Sequence, residues 1–202
     1  MLGAVPQIGA TRRQTRMQVV LASRSPQRKQ LLENLGVEFE VVEPDVEELT
    51  EGDPEAVVIE NARRKASAGE RPGALVIGCD TEVLLDGRLL GKPGNEGEAR
   101  DHLLKLSGRE HEVLSGLVLV GPAPGQERRG VERSIVSFRE LDQKEVDWYV
   151  ESGEWRERAG GYAIQGLGSR LVAGVEGETE NVIGLPVRLL LDLAPDLAAG
   201  VG

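Results

Sequence analysis

The dipeptide Asp86-Gly87 stands between two apolar runs, Val83-Leu84-Leu85 and Arg88-Leu89-Leu90. This is the strongest short-range hairpin signal, because a two-residue type I′ turn needs positive φ at both central positions. Just upstream, Ala74-Leu75-Val76-Ile77 is short, apolar and rich in branched residues, and reads as a buried strand. That strand is expected to deliver Asp80 and Thr81 at its end, and the returning arm closes at Gly91-Lys92-Pro93. The turn then brings Lys92 back toward Asp80. An acid and an ammonium side by side suit a substrate that carries phosphates and a divalent metal. An ordinary hairpin with a surface ion pair accounts for the same stretch equally well.

Residues 18–22, before that hairpin, form a first apolar strand, followed by Ser23-Arg24-Ser25-Pro26-Gln27-Arg28 and a helical pattern that stops at Gly36. Ser25 is a natural N-cap and Pro26 fits the first helical position. Ser23, Arg24 and Arg28 then lie beside the positive end of a helix dipole, where an anion can bind, although the glycines of a Walker loop are missing. A capped helix with solvated arginines is the plainer reading. Residues 37–42 alternate like a half-buried strand and run into the acids Asp45, Glu47 and Glu48, a solvated loop from which one carboxylate can join Asp80 on a metal. Residues 54–68 read as a helix capped by Asp53 and stopped by Gly69, with Arg63, Arg64 and Lys65 complementing its dipole.

Past the hairpin, the pattern predicts a helix over 96–106, strands over 111–120 and 131–138, and a helix over 142–150 with Asp142 and Glu145 as a capping box. The run Ala159-Gly160-Gly161-Tyr162-Ala163-Ile164-Gln165-Gly166 is dense in glycine, which means tight turns or close backbone approach. Gln165 within it can offer a donor and an acceptor to a base edge. A strand over 171–175 and a helix over 187–193 complete the pattern. The fold class is α/β, a mixed twisted sheet with flanking helices. Residues 1–16 carry Arg12, Arg13 and Arg16 without apolar period or a signal-peptide core, and are expected to be a disordered leader or a start assigned too early. Residues 17–202 are expected to form one domain.

A formal net charge of −10 leaves no dominant basic face, which argues against non-specific nucleic-acid binding. Two each of Trp, Tyr and Phe provide few stacking platforms for bases. Cys79 is the one cysteine, so no internal disulfide framework exists and a reducing, cytoplasmic setting fits. The two histidines lie outside zinc-ligand spacing, and no apolar run reaches membrane-spanning length.

The segments 21–32 (LASRSPQRKQLL), 45–48 (DVEE), 64–66 (RKA), 79–93 (CDTEV to GKP), 106–113 (LSGREHEV), 159–166 (AGGYAIQG) and 181–186 (NVIGLP), in this order, resemble the Maf family of nucleoside triphosphate pyrophosphatases, the septum-formation-inhibitor homologues. The resemblance spans residue 17 to the last helix. It implies an elongated two-lobed fold with a central cleft, similar to inosine-triphosphate pyrophosphatase. It also implies hydrolysis of a (deoxy)nucleoside triphosphate to monophosphate and pyrophosphate with Mg²⁺ or Mn²⁺, in a house-cleaning role that extends to modified nucleotides. Carried over, Asp80 matches the family's catalytic acid, and Ser23, Arg28, Glu48, Lys65 and Lys92 match its polar cleft residues. Asp80, Glu48 and Glu47 would share the metal. Thr81 and Gln165 match positions that tune base choice in the dTTP/UTP branch. That branch usually has two successive arginines after Ser-Pro, where this chain has Gln27 and then Arg28. The departure predicts a pyrimidine leaning with broader tolerance. The implied partner is the nucleotide, with neither nucleic acid nor membrane, and a homodimer is compatible with it. Two other readings compete: a nucleotide-binding regulator of division with little turnover, and a nucleotidyltransferase, which would require a glycine-rich loop that this chain lacks.

Overall fold

The computed structural model describes residues 17–200. The leader expected over residues 1–16 lies outside the described residues. The chain enters β1 (Gln18–Ala22), then α1 (Pro26–Asn34), β2 (Glu40–Val42) and α2 (Pro54–Ala68). β3 (Ala74–Leu85), β4 (Arg88–Leu89), α3 (Glu96–Leu106), β5 (Glu110–Val120) and β6 (Glu127–Phe138) follow. α4 (Gln143–Glu151), two short 3₁₀ turns (Ala159–Gly161 and Gly166–Arg170), β7 (Val172–Glu176), α5 (Thr179–Ile183) and α6 (Val187–Leu193) complete it. The strands form one mixed sheet in the order β2-β1-β3-β5-β6-β7, with β4 paired to β3.

β1 lies between β2 and β3 and is parallel to both, so the crossover from β1 to β2 through α1 and the one from β2 to β3 through α2 run in opposite directions and cover opposite faces of the sheet. Leu31 and Leu32 of α1 pack on Val19, Leu21, Leu75 and Ile77. Ala62 and Ala66 of α2 pack on Val20, Ala22 and Val76. Coverage on both faces is why β1 and the start of β3 read as unbroken apolar runs. The contact with α2 is close enough that a Cβ on Gly78 would lie 2.2 Å from the carbonyl oxygen of Ala62, so only glycine fits there. In the other half of the sheet, the far ends of β3, β5 and β6 pack against α3 and α4 through Val83, Leu103, Val113, Phe138, Val146 and Tyr149. The long strands β3, β5 and β6 thus join two core regions, which is the two-lobed arrangement expected.

Helix ends follow their caps. Asp53 accepts from the backbone of Ala56, Ser25 from that of Arg28, and Asp142 and Glu145 complete a capping box. Asp86 and Gly87 both have positive φ, 52° and 72°, as the hairpin required. Other expectations are corrected. Asp80 and Thr81 do not end a strand: β3 continues through them, because residues 76–84 pair with β5 in unbroken register. β2 is limited to Glu40–Val42, the residues that β1 pairs. β6 begins at Glu127 because the whole length of β5 offers it partners. α5, too short for an apolar period, is an addition.

Candidate active site

One edge of β3 decides where a ligand can enter. β1 pairs Ala74 to Gly78, and β4 pairs only Leu84 and Leu85. Between them β3 is held in the sheet by β5 alone, so Asp80 and Thr81 stand in a gap beyond the carboxyl end of β1. This is the place where the two crossovers diverge, and such a switch point opens a crevice in α/β sheets. A cleft of about 620 Å³ occupies it, lined by Ser23, Gln27, Arg28, Glu48, Lys65, Asp80, Thr81 and Lys92. That volume is in the range of small-molecule sites.

Because side chains alternate along a strand, Asp80 and Thr81 point to opposite faces of the sheet. Asp80 faces α2 and is 4 % exposed. Its Oδ1 accepts from Lys65 Nζ at 2.6 Å and its Oδ2 from Asn61 Nδ2 at 3.0 Å. Lys65 is 6 % exposed and lies 2.8 Å from Glu48 Oε1, while Lys92 approaches Glu48 Oε2 at 3.8 Å. The result is a chain of alternating charge, Asp80, Lys65, Glu48, Lys92. The ammonium beside Asp80 is therefore that of Lys65, not the Lys92 expected from the hairpin, because Lys92 meets Glu48 first. Lys65 does far more than complement a helix dipole. Asn61 also exchanges hydrogen bonds with the backbone of Leu49, 2.7 and 3.0 Å, and so ties the loop carrying Glu48 to the acid.

Thr81 faces the other way, toward α1. Arg28 donates from Nε to the carbonyl of Gly184 (2.7 Å), from Nη2 to Thr81 Oγ1 (3.1 Å) and from Nη1 to Ser23 Oγ (3.4 Å). Thr81 Oγ1 is itself 2.8 Å from Ser115 Oγ. Three of the five guanidinium N–H groups are thus placed by neutral oxygens, and among the described residues no carboxylate pairs with Arg28. Gln165 and Thr81 do not share one pocket. Gln165 is exposed and lines a smaller cavity of about 250 Å³, together with Gln27, Arg158, Tyr162, Val182 and Ile183. The last five also line the main cleft, so the two spaces adjoin. The amide oxygen of Gln27 accepts from Ser25 Oγ at 3.1 Å. Glu47 is exposed and absent from the cleft lining, its carbonyl accepting from Arg64.

Sequence reasoning missed Asn61, Glu82, Ser115, Tyr162 and Arg158. Glu82, two positions after Asp80 on the same face, is 9 % exposed, and its Oε2 has no hydrogen-bond partner among the described residues. Burial first, and then the charge of Asp80, push its carboxyl up to about 7. Tyr162 holds the inner wall through a 2.8 Å contact between its hydroxyl and Nε2 of buried His111, whose ring burial lowers to about 4 and so keeps neutral. A carboxylate directly after the Asp-Thr pair was the signal available for Glu82. For Asn61, only its i, i+4 spacing from Lys65 on α2 pointed to the site.

Hard carboxylate oxygens suit Mg²⁺ or Mn²⁺, and Asp80 and Glu48 each retain acceptor capacity beyond their bonds to Lys65. Among the described residues no group of three or more Asp, Glu, His or Cys is disposed to hold a metal. Two carboxylates completed by phosphate oxygens and water are the usual Mg²⁺ arrangement, so the residues fit a cation that arrives with a polyphosphate.

The profile described as "Maf-like protein" matches residues 18–197. A protein of Syntrophus aciditrophicus named "dTTP/UTP pyrophosphatase" is 43% identical over 185 residues, which cover 90% of each chain. Proteins of the same name from Deinococcus radiodurans and Myxococcus xanthus are 44% and 47% identical over 183 and 173 residues. Those matches cover 89% and 84% of this chain and 93% and 87% of the respective relatives.

Proposed function

This chain belongs to the Maf family, and from that premise we propose that it is a nucleoside triphosphate pyrophosphatase with a leaning toward dTTP and UTP. The observation that carries the reading is one cleft lined both by an anchored acid, Asp80, and by a guanidinium, Arg28, that no carboxylate neutralises among the described residues. Relatives named for dTTP/UTP pyrophosphatase activity, alike over most of their length, support it.

The reaction follows from that arrangement. Water attacks the α-phosphorus, a P–O bond forms, and the bond from that phosphorus to the bridging oxygen breaks. Pyrophosphate leaves with the bonding pair, and the water proton passes to Asp80. Lys65 and Asn61 occupy two of the four lone-pair directions of the Asp80 carboxylate and aim the remainder at the cleft. Arg28, oriented before substrate arrives, takes phosphate oxygens without further ordering of its side chain. Ser23 holds Arg28, and Lys92 adds positive charge at the mouth. A divalent cation held by Asp80 and Glu48 would supply charge neutralisation across the triphosphate. Base choice rests on the smaller cavity, which Gln27 and Gln165 both line. Thr81 serves Arg28 instead. The one cysteine of the chain, Cys79, suits a reducing, cytoplasmic setting, where the protein would act on free nucleotides. None of its described helices is long and apolar enough to cross a membrane.

The test is a panel of canonical and modified triphosphates with Mg²⁺ or Mn²⁺, products separated by chromatography. Equimolar monophosphate and pyrophosphate, fastest from dTTP or UTP, is the expected result. Tight binding without turnover would favour a regulatory role instead.

A further inference from the structure

We propose that Arg158, outside the set of cations considered so far, is a substrate-binding residue that holds the α-phosphate. The assignment rests on the pyrophosphatase reading and extends it. Arg158 lines both the phosphate-facing cleft and the smaller cavity shared by Gln27 and Gln165. A nucleotide with its base in the smaller space and its terminal phosphates among Arg28 and Lys92 has its α-phosphate where the two spaces meet. Of the five residues common to both, Arg158 is the one cation.

Its surroundings are built to present it. Trp155 is buried and donates from Nε1 to the carbonyl of Val150 at 2.9 Å, which anchors the segment, and Arg156 stacks over the Trp155 ring. Glu157 next adopts φ 58°, a left-handed conformation unfavourable for a glutamate, and the chain turns back so that Arg158 N–H reaches the carbonyl of Trp155 at 3.2 Å. Gly160 N–H then donates to the carbonyl of Gly91 at 2.7 Å, tying this turn to the loop that carries Lys92. Within this frame the Nε of Arg158 is buried and has no hydrogen-bond partner, and among the described residues no carboxylate pairs with the side chain. A buried donor without an acceptor is costly, and a phosphate oxygen supplied by the substrate removes that cost.

The experiment measures binding of dUMP, which retains the α-phosphate, and of inorganic pyrophosphate, which does not, to the full chain by calorimetry. Arg158→Gln is expected to weaken dUMP roughly tenfold or more, the loss of a charge-assisted hydrogen bond, and to leave pyrophosphate unchanged. Arg158→Lys, which keeps the charge, is expected to fall between the two and also serves if the glutamine variant does not fold. Unchanged dUMP affinity in both variants, or equal loss for both ligands, overturns the assignment. If the wild-type chain turns over dTTP yet binds no dUMP, this assignment fails alone; if it does not turn over dTTP either, the pyrophosphatase reading fails with it.

Discussion

On the α1 side of β3, neutral groups hold Arg28: the hydroxyls of Ser23 and Thr81 and the carbonyl of Gly184. On the α2 side, the carboxylates of Asp80 and Glu48 hold Lys65. Both cations line one cleft and are a single strand apart, yet they are prepared for different tasks. Dipoles orient a guanidinium while leaving its charge available to an incoming anion. Carboxylates compensate an ammonium, and in return the ammonium allows Asp80 to be buried close to the half-buried Glu48. The family resemblance placed Lys65 and Arg28 in the same set of polar cleft residues. From their surroundings we propose that Arg28 binds phosphate and that Lys65 chiefly positions Asp80.

The largest effect expected from breaking this division is Lys65→Met. It leaves Asp80 and Glu48 without their shared partner, so the fold should lose about 3–5 kcal/mol in denaturant titration at neutral pH. A loss below about 1 kcal/mol would mean that Lys65 is held for substrate instead of for the acids.

Glu82 extends the α2 side and gives it a pH signature. A carboxyl raised from its usual 4.5 to about 7 by burial stabilises the fold while protonated, so its contribution is complete below about pH 4.5 and is lost as pH rises through 7. Glu82→Gln is neutral at every pH. Relative to wild type its stability should therefore rise by roughly 3 kcal/mol between pH 4.5 and pH 8, with parallel stability curves as the contrary result.

Arg28→Lys tests the α1 side. One ammonium cannot satisfy Ser23, Thr81 and Gly184 together as the planar fork does. KM for dTTP should rise about tenfold while the melting temperature moves little. A large fall in melting temperature with unchanged KM would make Arg28 a structural tie. The smallest effect is expected at Gln27→Arg. It should raise the preference for dTTP or UTP over purine triphosphates by roughly 1–2 kcal/mol if the position senses the base, and should change all substrates equally if it senses phosphate.

The sequence shows most plainly what is local. α2 has the predicted bounds, residues 54–68, because Asp53 caps it and Gly69 ends it, and the Asp86-Gly87 turn is set by two adjacent residues. What depends on a distant partner was not legible. Asp-Thr-Glu in mid-strand looks like a strand end until β5 is found paired through it. Lys65 reads as a dipole complement because its acid lies on another element and burial leaves no mark on a single helix. Ser23, Arg28, Asp80 and Lys92, which the motifs single out, do line one cleft. The division of labour among them, and the part of Arg158, required the two faces of β3 and the junction of the two cavities.

On the proposed mechanism this cleft splits a nucleoside triphosphate between its α- and β-phosphates, with Asp80 as the reacting acid. Its most direct test is dTTP turnover by wild type and by Asp80→Asn, with dTMP and pyrophosphate quantified together. Wild type is expected to release the two in equal amounts, and the variant, still folded by near-ultraviolet circular dichroism, to be slower by a factor on the order of 10² or more. Release of inorganic phosphate by wild type, or equal rates from the two proteins, would contradict it.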